Sequence, residues 1–86
     1  MDKNRVEEWV KRKAQLIIDA LKAIRENRAT YEELNAASGA ISDCVFVGNL
    51  VNTHVNDLDV KINVQIFLRA RVVVDDLLEK MATIAK

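Results

Sequence analysis

Eighty-six residues with zero formal net charge, no proline, two glycines and one cysteine describe one small domain spanning 1–86. A single cysteine excludes an internal disulfide, and one cysteine with one histidine cannot supply the usual four Cys/His ligands of structural zinc. The balanced charge gives no overall attraction to nucleic acid or to an anionic membrane.

Half of the residues are apolar and helix breakers are scarce, which favours an all-α chain. A domain this small normally needs a staple, and without disulfide or metal the expected support is oligomerisation or close helix packing. Residues 1–13 are charged throughout and lack the apolar stretch of a secretory signal. No run of about 18 uncharged apolar residues occurs, so a membrane span is not expected and the expected location is cytoplasmic. Charge is nevertheless uneven. Residues 1–28 carry eight Lys/Arg against five Asp/Glu, and the remainder carries five against eight.

A first helix is predicted over 4–27. Asn4 and Glu7 have capping-box spacing, and Val6, Val10, Ile17, Leu21 and Ile24 recur at helical intervals. Trp9, Leu16 and Ala20 widen the stripe, Lys11, Lys22 and Arg25 lie opposite, and Asn27 stands near the end. A second helix is predicted over 30–55, opened by the capping pair Thr30 and Glu33. Its apolar positions Leu34, Ala37, Ile41, Cys44, Gly48, Val51 and Val55 alternate in steps of three and four, which makes a heptad seam. Glycine inside a helix costs about 1 kcal/mol against alanine, so Gly39 and Gly48 need a close neighbour to justify them. One residue along runs a polar stripe of Asn35, Ser38, Ser42, Asn49, Asn52 and Asn56. Across 34–56 the only charged residue is Asp43. A solvated helix face would carry Lys and Glu, so the stripe is expected to pack against something, with the asparagines bonding between helices.

The last segment is predicted as one helix over 57–85. Leu58, Ile62, Ile66, Ala70, Val73, Leu77, Met81 and Ile84 fit a helical stripe, with Arg71 and Asp75 as an i,i+4 pair. Alternation of apolar and polar residues over 58–66 leaves a short strand or hairpin there as the alternative. Val64, Phe67, Leu68, Val72, Val74 and Leu78 make this helix apolar on more than one face, more than a three-helix monomer hides. The predicted architecture is therefore a three-helix antiparallel bundle protomer that oligomerises.

The stretch from Thr30 to Ser42 resembles the first helix and turn of the helix-turn-helix family, with Leu34, Gly39, Ser42, Phe46 and Leu50 falling on its pattern. That resemblance implies a break near Gly39 to Ile41 and a reading helix from Ser42 to Thr53. The implied reader has no Lys or Arg, so phosphate contacts would fall to Lys11, Arg12, Lys13 and Arg28, with Ser42 and Asn49 at the bases.

Chemistry is thinly represented. Lone His54 and Cys44 read as structural or solvated residues, and the adjacent carboxylates Glu7/Glu8, Glu32/Glu33 and Asp75/Asp76 diverge by about 100° on a helix. No phosphate loop, nucleophile triad or metal spacing is present, so neither an enzyme nor a cofactor is expected. The expected function is a protein-interaction module, an adaptor, inhibitor or assembly subunit acting as a homo-oligomer. Its expected interface is Leu34, Ala37, Ile41, Cys44, Gly48, Asn49, Val51, Asn52 and Val55 of the second helix with Phe67, Val74 and Leu78 of the last. DNA-binding regulation, with nucleic acid as partner, is the first alternative. A small ligand held in a pocket of the asparagine stripe is the second.

Overall fold

The computed structural model describes residues 3–54 and 62–85, with side chains described over 3–53 and 62–83. Three helices follow one another: α1, Lys3–Arg25; α2, Tyr31–His54; and α3, Val64–Ala85. Both α1 and α3 pack along α2 and barely touch each other, so α2 is the spine of an elongated body of 48 × 18 × 16 Å.

Local chemistry sets the helix ends. Helix α1 starts at Lys3, one residue before Asn4, and closes in a Schellman motif. Asn27 adopts the left-handed conformation at φ 57°, Arg28 N–H donates to Ala23 C=O at 2.9 Å and Asn27 N–H to Ile24 C=O at 3.1 Å. Asparagine is among the few non-glycine residues that accept this backbone at low cost. Three residues later the Thr30–Glu33 capping box forms. Glu33 N–H donates to Thr30 Oγ1 at 3.1 Å, and Thr30 N–H reaches back to Glu33 Oε1 at 3.4 Å.

Helix α3 starts later than the sequence spacing predicts, at Val64 rather than residue 57. Asn63 caps it, its Oδ1 accepting from Gln65 N–H at 3.1 Å, so the periodicity upstream of Asn63 is not carried into this helix. Residues 64–66 are helical and 62–63 are neither helix nor strand, which removes that part of the strand alternative. The rest of it, 58–61, lies outside the described residues, as do Val55 and Asn56.

The core consists of one cluster from all three helices, including Ile17 and Ala20 of α1, Leu34, Ile41 and Cys44 of α2, and Val74 of α3. Leu34, Ala37, Ile41, Cys44 and Val74 have no exposed surface at all. Tyr31–Thr53, at a mean hydropathy of 1.2, is by length and composition alone apolar enough to cross a membrane, although Asp43 interrupts it. In this fold its seam has an internal occupant on either side.

Candidate functional site

The heptad seam of α2 is where the sequence placed an interface, and the fold fills it with its own chain. Leu34, Ala37, Ile41, Cys44, Gly48 and Val51 are buried between α1 and α3. These are the residues expected to meet a partner, and in this fold α1 and α3 of the same chain cover them. Phe67 and Val74 are buried and Leu78 is half-buried, all facing the same core. Periodicity marks a covered face, and in this fold the cover comes from the same chain.

The polar stripe has a similar explanation. Ser38 Oγ donates to Asp75 Oδ1 at 3.2 Å and Arg71 Nη2 donates to Ser42 Oγ at 2.9 Å, so Arg71 and Asp75 each turn to a serine of α2. At the far end Asn52 grips the backbone just ahead of α3. Its Nδ2 donates to Ile62 C=O at 2.9 Å and its Oδ1 accepts from Ile62 N–H at 3.0 Å. The amide thus substitutes for a β-bridge. These bonds hold α3 to α2 within the protomer, as the interhelical reading of the stripe requires. Asn35 and Asn49 stay exposed on the outer side of α2, so among the described residues the asparagines do not converge on a pocket.

The helix-turn-helix geometry is absent. Helix α2 runs unbroken through Gly39, Ala40 and Ile41, where that reading needs a turn. Its proposed contacts are also dispersed. Lys13 bridges to Asp43 at 3.2 Å and lies over the Trp9 ring, Arg28 pairs with Glu26 beyond the opposite end of α1, and Ser42 is held by Arg71. Lys11, Arg12 and Asn49 are exposed, on two different helices.

Among the described residues no group of three His, Cys, Asp or Glu side chains is placed to hold a metal ion. The His54 side chain lies outside the described residues. Cys44 is buried, and burial pushes its thiol pKa up, with the Asp43 carboxylate adding to the effect and Lys13 opposing it. A raised pKa in the fold means that the unfolded chain loses the proton first. Stability is therefore expected to be unaffected by this thiol below about pH 9 and to fall as pH rises above it. Chemical denaturation from neutral to alkaline pH, compared with Cys44→Ala, checks this: the stability advantage of the parent over the variant should stay constant up to about pH 9 and shrink above it.

What the fold leaves open is a groove between α1 and α3, on the side of these helices turned away from α2. Ala14, Ile17, Ile18 and Leu21 form one wall, and Ile66, Phe67, Ala70 and Val73 the other, enclosing about 580 Å³. Ile18 is 55% exposed and Ile66 59%. Arg69 is the one charged residue of the lining. By spacing alone Ile66 and Val73 belong to the buried stripe of the last helix, and Ile18 falls outside the stripe of the first. A signal was present in the adjacent pair Ile17-Ile18. Neighbours on a helix point about 100° apart, so both do not fit one narrow core stripe. A smaller apolar exposure sits on the outer side of α2, where Phe46 is 70% exposed.

Comparison with protein-family models, with curated proteins and with solved structures gives no match, so the site is read from its own chemistry.

Proposed function

We propose that this chain is a non-enzymatic protein-interaction module whose binding surface is the α1–α3 groove. The observation that carries the reading is an open apolar trough flanked by two long helices that scarcely touch. A third helix-pair interface left unpacked in a three-helix body has the shape that a further helix fills in a four-helix bundle. The lining also argues against a small polar ligand. Sites for such ligands combine apolar walls with several convergent polar groups, and here Arg69 stands alone.

The reading moves the interface from the α2 seam to Ile18, Ile66 and Val73, residues whose substitution leaves the core intact. In the double variant Ile18→Lys/Val73→Lys, helicity by circular dichroism should match the parent, while association with itself or with amphipathic helical peptides is lost. A parent protein that stays monomeric and binds neither such peptides nor an apolar fluorescent dye would defeat the proposal.

A further inference from the structure

We infer that the occupant of this groove is a second copy of the chain, docked antiparallel through α3; the inference rests on the groove being an interaction surface. A second stripe with heptad spacing, part apolar and part charged, runs along the outer side of α3. Ile66, Arg69, Val73, Asp76 and Lys80 follow one another in steps of three, four, three and four. The first three of these line the groove. This seam is a different stripe from the buried one of Phe67, Ala70 and Val74.

At its three central positions the seam is self-complementary in one orientation, which also sets Ile66 of each copy beside the aliphatic stem of the other's Lys80, whose Nζ bridges Asp76 of its own helix at 3.1 Å. Turning a copy of α3 end for end about Val73 sets Val73 on its own counterpart and the Arg69 of each copy beside the Asp76 of the other. Arg69 and Asp76 stand on either side of Val73 at nearly equal distance along the helix, so both ion pairs form together. A parallel pairing sets Arg69 against Arg69 and Asp76 against Asp76, which opposes association. The contact is thus of the isologous, two-fold kind that dominates soluble oligomers.

The rest of the molecule agrees with this choice. Among the described residues, toward one end of the elongated body Lys3, Arg5, Lys11, Arg12 and Arg69 outnumber Glu7 and Glu8, and toward the other Asp19, Glu26, Glu32, Glu33, Asp76 and Glu79 outnumber Lys22, Arg25, Arg28 and Lys80. An antiparallel pair brings opposite ends together, and zero net charge leaves no overall repulsion between copies. The partner helix would also cover Val72, 70% exposed, and close the mouth of the groove over Ile18.

Solution mass by sedimentation and light scattering over a wide concentration range tests the inference on the full chain. The parent should dimerise, and Val73→Glu should remain folded and monomeric. Arg69→Asp and Asp76→Arg, each alone, set like charges face to face at both symmetry-related pairs and should weaken the dimer by about tenfold or more. Mixing those two variants should restore a dimer, now hetero, because each supplies the charge that the other lacks. A dimer indifferent to Val73→Glu overturns the inference by placing the contact elsewhere. A parent that is monomeric throughout overturns it too. In that case binding of an amphipathic helical peptide or an apolar dye, lost in Ile18→Lys/Val73→Lys, leaves the interaction-module reading standing, whereas no binding removes both.

Discussion

Gly48→Val is expected to destabilise the protein by about 2 kcal/mol, whereas Gly39→Ala, nine residues earlier on the same helix, is expected to stabilise it by up to about 1 kcal/mol. Both replace a helical glycine, and both gain the helix propensity that glycine lacks. They differ in what the new side chain meets. A Cβ at Gly48 would stand 2.8 Å from Val64 Cγ2 and 3.1 Å from Ile62 Cγ2. Both neighbours are β-branched and stiff at χ1, so relief requires the start of α3 to move away from α2. At Gly39 nothing lies within 4 Å of the added carbon. Thermal melts check the pair, since about 1 kcal/mol corresponds to roughly 4–8 °C in a domain of this size. Melting temperatures that rise together in both variants would show that the close approach at Gly48 is not made in solution.

Asn52→Leu should cost about 2–3 kcal/mol, a large effect for the loss of one polar side chain from a helix surface. The amide satisfies both the N–H and the C=O of Ile62, a residue only 8% exposed. Leucine leaves both backbone groups without that partner, and each buried polar group stripped of its partner costs about 1–3 kcal/mol. Asn52→Asp keeps an acceptor for the N–H but turns a carboxylate toward the Ile62 carbonyl, so it should not rescue the loss. Asn49→Leu, one turn earlier and exposed, should stay within about 0.5 kcal/mol. Amide exchange at Ile62 separates this account from a general loss of helix. It should accelerate in Asn52→Leu far more than exchange at Ile41 does.

These two positions also show how much was legible in advance. The three helices follow from apolar spacing, and the end at Asn27 and the start at Thr30 follow from capping chemistry local in sequence. The glycines were marked as needing a close neighbour, and one of them has it. What spacing cannot carry is the identity of the cover. Leu34, Ile41 and Cys44 announce a buried face equally well whether α1 and α3 or another chain buries it. Asn52 is harder still, because its partner is a backbone ten residues away that no side-chain pattern encodes. The late start of α3 was missed because the apolar spacing continues upstream of Asn63, where the cap ends the helix. The groove was missed for the opposite reason, since Ile66 and Val73 share helical spacing with core residues and only the placement of α1 shows them uncovered.

The arrangement of two helices on one spine has a consequence for how the chain reaches this state. Almost all its tertiary contact is made within two hairpins, α1 with α2 and α2 with α3, and very little is made between the first helix and the last. Each hairpin joins segments adjacent in sequence, so little loop-closure entropy is lost before packing begins to compensate. Topologies of this kind fold in microseconds to milliseconds. Because both hairpins need α2, a lesion in its buried half should slow both at once, while a lesion in α1 or α3 leaves the other hairpin free to form first.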